Sequence, residues 1–301
     1  MAGSRASVSS LAPAKVNLTL RVLGKRADGY HHVESLIVPV SLCDELLISV
    51  AAGNRRVTCS VEGPEKAPEG ESNLAAAAAR SALRELDVDV DVGIRLIKNI
   101  PAGSGLGGGS SDAASVLRTL PAMLGRLLRP GRLSALALEL GADVPFFLAC
   151  RPAVAMGIGE ILAPVSRFPE LNLVVAVRDV EVSTAWAYEH ALPPAEALTS
   201  RPSATSRSLR LRLKREPIAS LLCNDFETGV TAEFPDVARL KRRLEEFGAE
   251  ATVMSGSGSA VVGLFRSGRR AEEVAAAVPA PDRVYAVKVL RRRPAVTDDG
   301  R

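Results

Sequence analysis

The sequence predicts an α+β protein of two domains, on three observations. First, its 301 residues exceed the roughly 150 that one domain usually takes. Second, strand-like alternation dominates the first hundred residues, whereas helical and strand patterns interleave in the second half. Third, a glycine- and serine-rich run sits directly between a strand pattern and a helix pattern.

Taken in order, residues 1–11 read as a disordered Ser-rich leader. From Lys15 to Leu23, Val16, Leu18, Leu20 and Val22 alternate with Lys15, Asn17, Thr19 and Arg21, the period of a half-buried strand, so Lys15 and Asn17 share a face. Short strands follow around Leu46–Val50, Val57–Val61 and Val92–Ile97, with an alanine-rich helix near Asn73–Leu86. Ser110, Ser111 and Asp112 offer N-cap side chains to a helix carrying Ala113, Val116, Leu117 and Leu120, which Pro121 ends or kinks. A helix over about Arg132–Leu140 stops at Gly141, and "GADVPFFL" follows as a tight, partly buried segment. The pattern changes near Glu160, giving an N-terminal domain over 12–160 and a C-terminal domain over 161–290. The second domain reads as a strand at Leu171–Val177, a helix at Thr184–Leu192, an amphipathic helix at Pro235–Phe247, and a strand–loop–strand unit through "ATVMSGSGSAVVGLF". A helix near Arg270–Ala277 and a strand near Val284–Leu290 complete it. The stretch 193–216, rich in Pro, Ser and Arg, reads as an exposed insertion, and 291–301 as a charged tail.

Composition narrows the function. Thirty-eight basic against 34 acidic residues leave a net charge of +4 with 4% aromatic residues, which suits anionic small molecules better than nucleic acid. Cys43, Cys59, Cys150 and Cys223 are scattered, without C-x-x-C spacing or partner histidines, so zinc sites and disulfide frameworks lack support and free thiols in a reducing compartment are expected. No apolar run reaches the ~18 residues of a membrane span, and the start has no signal-like hydrophobic core, so a cytoplasmic protein without a membrane partner is expected.

"IPAGSGLGGGSSDAA" carries the first chemical signal, with five glycines and three serines between Gly103 and Ser111. Glycines let main-chain N–H groups close on a bulky anion, and the helix N-terminus that follows adds unpaired donors and roughly half a positive charge. The run lacks the lysine of G-x-x-x-x-G-K-[ST], which argues against a Walker-type NTPase. Gly103, Gly105 and Gly108 fit G-x-G-x-x-G, but no acidic residue follows about 20 positions on at a strand end, which argues against a dinucleotide fold. Lys15, Tyr30 and His31 in "RADGYHH", and Asp143 in "GADVPFFL" are the candidate partners. Asp143 is flanked by Val144, Pro145 and Phe146, where an unpaired carboxylate is costly to desolvate, and a lysine on a half-buried strand has the same problem. If the two meet, each offsets the other's penalty, either as catalytic groups or as a structural ion pair.

"APAKVNLTLRVLGKRADGYHHVESL", the glycine run, "AMGIGE", "GADVPFFL", "VSTAWAY", "CNDFE" and "MSGSGSAVVGLF" together resemble the GHMP small-molecule kinases, over about Ala12 to Phe265. The resemblance implies an N-terminal ribosomal-protein-S5-domain-2-like domain joined to a C-terminal ferredoxin-like domain. It implies ATP-dependent phosphorylation of the C2 hydroxyl of an erythritol moiety borne on a cytidine diphosphate group, in the non-mevalonate isoprenoid route. Asp143 would be the base, with Lys15 orienting the hydroxyl and stabilising charge. Pro101, Ala102, Gly103, Ser104, Gly105, Leu106, Gly107, Gly108, Gly109, Ser110 and Ser111 would hold ATP, with Ser110 beside Mg²⁺. Asn17 would face the substrate, Tyr30 and Tyr188 (or Trp186 in its place) would sandwich cytosine, and His31 would bond its edge. Gly256, Ser257 and Gly258 would lie near substrate phosphates or close the domain interface. The expected assembly is a monomer or homodimer, with no nucleic-acid partner. Pro121, "SGSGSA" and the basic 193–216 stretch depart from the family pattern. A kinase of another small alcohol, or a silent nucleotide-binding regulator on the same fold, are the competing readings; "RADGYH" with Tyr188 opposes the first, and the retention of both Lys15 and Asp143 the second.

Overall fold

The computed structural model describes residues 6–191 and 209–298. The N-terminal half is built on two long antiparallel strands, β1 (Ala6–Lys25) and β2 (His31–Ala52), joined by β3 (Val57–Glu62), β4 (Val90–Ile97) and the C-terminal β12 (Thr297–Asp298) in the sheet order β12-β1-β2-β4-β3. β5 (Ala153–Met156) extends β2, β6 (Ile161–Pro164) pairs β5, and β8 (Cys223–Asn224) runs parallel to β1. Helices α1 (Leu74–Leu86), α2 (Gly108–Met123), α3 (Pro130–Leu140) and α4 (Val144–Ala149) cover one face of this sheet. Ala113, Val116, Leu117 and Leu120 of α2 are buried there against Leu46, Ile48 and Leu96.

The C-terminal half is a four-stranded antiparallel sheet of β7 (Asn172–Val177), β9 (Ala251–Met254), β10 (Val261–Phe265) and β11 (Arg283–Lys288), ordered β11-β7-β10-β9. α5 (Thr184–Glu189) and α6 (Glu227–Glu233) precede two longer helices, α7 (Pro235–Glu246) and α8 (Gly268–Ala277), which give the expected ferredoxin-like arrangement, and Val237, Leu240, Leu244 and Val274 bury their apolar stripes on one sheet face. The opposite face carries Leu173, Val175, Val262 and Leu264 onto Val16, Leu18, Leu36 and Val38 of β1 and β2. One core therefore joins the two sheets.

Several expectations need correction. The supposed leader is part of β1 from Ala6 on, and the supposed tail returns as β12 (Thr297–Asp298) to pair Val8 and Ser9. The β1 segment around Lys15 is buried on both faces, because Val16 and Leu18 pack on the second sheet while the opposite side, with Lys15, closes against the glycine run. Pro121 lies inside α2, which ends two residues later. Of the 193–216 insertion, 193–208 lie outside the described residues; Leu209 and Leu213 pack into the shared core, contrary to the exposed reading. Cys59 and Cys150 are buried free thiols, and no described helix is long and apolar enough to cross a membrane.

Candidate active site

A cleft of about 860 Å³ opens where the two sheets meet. Its floor is β1. Register shifts between Pro13 and Lys15 and between Asn17 and Thr19 re-aim this strand's side chains, as bulges do. Lys15 is 5% exposed and its Nζ donates to Asn17 Oδ1 at 2.5 Å. Asn17 Nδ2 donates to Ser35 Oγ (2.7 Å), which donates to the Thr19 carbonyl (2.6 Å), and the Asn17 N–H donates to Ser255 Oγ (3.1 Å). Both ends of the Asn17 amide are thus engaged by protein. Asn17 lines the cleft, but its side chain orients Lys15.

Asp143 comes from the opposite wall as the residue preceding α4, whose Val144, Phe146 and Phe147 anchor it in the core. Its Oδ2 lies 3.6 Å from Lys15 Nζ, with the Asp143 side chain 39% exposed. The apolar neighbours carry the burial, so the carboxylate keeps water contact and the desolvation argument drawn from its flanks does not hold.

The glycine run bends between these two walls. Gly105 (φ +80°) has no room for a side chain, since a Cβ would fall 2.3 Å from the Ser255 carbonyl oxygen. A Cβ on Gly107 (φ +71°) would meet the Phe147 ring at 3.0 Å and Lys15 Cγ at 3.1 Å. Gly107 is also the N-cap of α2, so no side chain caps the helix's first-turn N–H groups, the kind of free donors that can bind an anion. Ser110, Ser111 and Asp112 lie inside the helix instead of capping it: the left-handed turn at Gly107 starts the helix earlier than the hydroxyls suggest. Gly103, Gly105, Gly107 and Ser110 line the cleft, whereas Pro101, Ala102, Leu106, Gly108, Gly109 and Ser111 do not. Ser104 braces the loop, its Oγ donating to the Pro101 carbonyl (2.7 Å) and its own carbonyl accepting from the Ala260 N–H (3.0 Å). The Leu106 carbonyl accepts from the Lys15 N–H at 2.9 Å, which fixes the loop to β1.

The second glycine loop faces the first. Gly256 and Ser257 line the cleft, while Gly258 packs beside Met254 outside it. Asn224 of β8 holds the loop through Nδ2, donating to the Met254 and Gly256 carbonyls (2.7 and 2.8 Å). At the far end, Tyr188 of α5 (Thr184–Glu189) stacks on His31 with centroids 4.9 Å apart, and Phe226 abuts it edge-on at 4.8 Å. Tyr30 is 61% exposed beside them. Burial, then the Asp143 charge, raises the Tyr188 phenol, and burial, then Lys25, lowers His31. Trp186 is turned away, stacked on His190 at 4.1 Å and packed edge-on to Phe234, so Tyr188 is the ring at the cleft.

Sequence reasoning missed two sets of residues. Glu181, Thr184 and Lys25 also line the cleft, and Thr184 Oγ1 meets Ser257 Oγ at 3.1 Å across it. Behind the glycine run, Lys98 Nζ sits between Asp44 Oδ2 and Asp112 Oδ2 (3.0 Å to the latter), with all three side chains buried. Asp44 Oδ1 accepts from the Asn99 and Ile100 N–H groups (2.6 and 2.8 Å), whereas Asp112 Oδ1 and Ser111 Oγ have no partner. Burial first, then Asp44's charge against Lys98's opposing one, pushes Asp112 up to about 8. Among the described residues no group of three or more His, Cys, Asp or Glu side chains could hold a metal by itself. Ser110 and Asp143 at the cleft nonetheless fit an Mg²⁺ ion carried largely by phosphate oxygens, which needs only one or two protein ligands.

Residues 73–151 match the model of the GHMP kinases N-terminal domain and 206–283 that of the GHMP kinases C-terminal domain. The chain is 42% identical to 4-diphosphocytidyl-2-C-methyl-D-erythritol kinase of Citrifermentans bemidjiense, over 89% of this chain and 93% of that one, and 40% identical to the Geobacter sulfurreducens kinase of the same name, over 91% and 94%. A crystal structure of 4-(cytidine 5'-diphospho)-2C-methyl-D-erythritol kinase superposes with a TM-score of 0.76 at 37% identity, covering 93% of this chain and 98% of that chain. Homoserine kinase from Cytophaga hutchinsonii shares the fold at 20% identity and TM-score 0.74, over 96% and 97%. The chain therefore belongs to the GHMP kinases, and among them to the 4-diphosphocytidyl-2-C-methyl-D-erythritol kinase family.

Proposed function

We propose that this chain transfers the γ-phosphoryl group of ATP to the 2-hydroxyl of 4-diphosphocytidyl-2-C-methyl-D-erythritol, a step of the non-mevalonate isoprenoid route. The observation that carries the reading is the 3.6 Å approach of Lys15 Nζ to Asp143 Oδ2 in a cleft with a glycine-rich helix start on one wall and aromatic rings at the far end. Phosphoryl transfer asks a protein for positioning and charge stabilisation more than for covalent help. Asp143, beside the Lys15 side chain and open to the cleft, accepts the proton of the 2-hydroxyl as its oxygen bonds to the γ-phosphorus. The bond from that phosphorus to the β–γ bridging oxygen breaks, and ADP leaves with the electron pair. Lys15, held by Asn17, directs its charge at the transferring group. The first-turn N–H groups of α2 and the backbone of Gly103–Gly107 bind the ATP phosphates. Mg²⁺, when bound, neutralises charge on the phosphate oxygens, and Ser110 is the hydroxyl in place to hold it.

The base end suits a planar heterocycle. Tyr30 and Tyr188 offer two faces, and His31, a neutral ring at pH 7, offers a hydrogen bond to the edge. Because His31 now lies flat on Tyr188, a base entering between the tyrosines requires it to swing from that face to the edge. An ATP-coupled assay comparing the cytidine-diphosphate substrate with mevalonate, homoserine and free sugars tests the assignment. Turnover confined to the first supports it; equal or better turnover of any other alcohol refutes it.

A further inference from the structure

Away from this cleft, a second cavity of about 340 Å³ lies between the start of β1, the second half of α2 and residues 293–296. Arg118 and Arg293 stand at its edge and converge on one neutral acceptor, the Leu148 carbonyl in the last turn of α4, Arg118 Nη1 at 3.0 Å. Among the described residues neither guanidinium meets a carboxylate, although most of the other arginines that engage a partner through their side chain do. A single arginine is enough to satisfy the carbonyls at a helix end. Two leave close to two positive charges with one partial negative charge between them and most of their ten N–H donors unspent.

The rest of the cavity says what counter-charge fits. Thr119, 5% exposed, and the mutually bonded Ser10 and Ser115 hydroxyls (2.7 Å) supply further hydrogen-bonding groups beside the guanidiniums. Val8, Met123 and Val296 make the remaining wall apolar. The volume is that of a small-molecule site, a few hundred Å³ with few polar groups on a mostly apolar lining. A carboxylate would neutralise one guanidinium, whereas a phosphate monoester carries about −1.5 to −2 at neutral pH and offers oxygens to both forks. We infer that this cavity is a second anion site, distinct from the phosphoryl-transfer cleft, which takes a phosphate monoester bearing a short apolar chain between Arg118 and Arg293. Arg118 belongs to α2, and both arginines reach α4 through the Leu148 carbonyl, so the cavity is tied to two helices that frame the active cleft.

Hexyl phosphate, hexanoate and inorganic phosphate are the probes, titrated calorimetrically into the full chain with the first cleft filled by a non-hydrolysable ATP analogue. Hexyl phosphate is expected to bind one site, at least about ten-fold tighter than either other probe, since ten-fold is the scale of one charge-assisted contact. Arg118→Gln combined with Arg293→Gln should weaken it by about ten-fold or more on the same scale, with affinity for the ATP analogue unchanged. Ala122→Phe, which fills the cavity and leaves both arginines in place, should do the same. Hexyl phosphate binding that survives both variants overturns the site, as does inorganic phosphate binding as tightly as hexyl phosphate, the mark of an adventitious ion only.

Discussion

On one side of the glycine run Lys15 and Asp143 stand 3.6 Å apart, with the carboxylate 39% exposed; on the other, Lys98 sits between Asp44 and Asp112 with every side chain 3% exposed or less. Both clusters touch the same loop. Gly107 has Lys15 Cγ beside it, and a Cβ on Gly108 would fall 2.7 Å from Lys98 Nζ. Their surroundings assign them different work. The buried cluster spends its polar atoms on protein, fixing the strand that leads into the loop through the Asn99 and Ile100 N–H groups. The open cluster holds its lysine with Asn17 and leaves a carboxylate facing the cleft. Residue type is the same on both sides; access separates a site for chemistry from a structural lock.

The sharpest way to break this contrast is to neutralise one carboxylate on each side. Asp143→Asn should lower turnover by about 10² to 10⁴, the scale of a lost general base, while ATP affinity and the melting temperature stay near wild type. Turnover within a few-fold of wild type would leave Asp143 as an ordinary ion-pair partner. Lys98→Met should act on stability, by about 3–5 kcal/mol in urea unfolding, because it strands Asp44 as a buried charge. A variant at Lys98 that unfolds like wild type would mean that water reaches this cluster.

The pH dependence of stability sharpens the same division. Asp112 is raised to about 8 by burial, so folding takes up a proton that the unfolded chain, with an ordinary carboxylate, does not bind above pH 4 or so. This contribution is complete in acid and is lost as pH rises toward 8, at no more than about 1.4 kcal/mol per pH unit. Lys98 keeps its charge throughout: burial works against it, but Asp112 and Asp44 outweigh burial and raise it. Asp112→Asn, a neutral group of the same shape, should flatten the decline in melting temperature between pH 6 and 8. A decline of unchanged slope in this variant would place its origin elsewhere.

The legibility of these features follows from how far apart in the chain their parts lie. The β1 alternation, the glycine run and the Pro235 helix are local patterns: the Pro235 helix ends one residue from its expected bound, whereas β1 starts at Ala6, well before the Lys15 where the alternation begins. Lys15 and Asp143 were nameable because each carries charge into an apolar context. Lys98, Asp44 and Asp112 meet only through the pairing of β2 with β4 and the docking of α2, which no local period encodes. The start of α2 is not legible from capping hydroxyls, because Ser110 and Ser111 point to a later start than the left-handed Gly107, which needs no side chain. Asp143's exposure was unreadable because its neighbours' burial says nothing about which way its own side chain turns.

The smallest expected effect lies at the aromatic end, where the open side of the comparison must bind something. Tyr30 is 61% exposed with no ring against it among the described residues, whereas Tyr188 is already covered by His31 and Phe226. Losing Tyr30 therefore costs the empty protein almost nothing, and any loss must appear on substrate binding. Tyr30→Ala should raise KM for the cytidine-diphosphate substrate by the equivalent of about 1–3 kcal/mol, the range for a base stacked on an aromatic ring, with kcat and the KM for ATP unchanged. Tyr30→Phe should restore it, since the ring and not the hydroxyl is at work. An unchanged KM in Tyr30→Ala would move the base away from Tyr30, and a fall in kcat of the same size would mean that the tyrosine shapes the reacting end of the cleft instead.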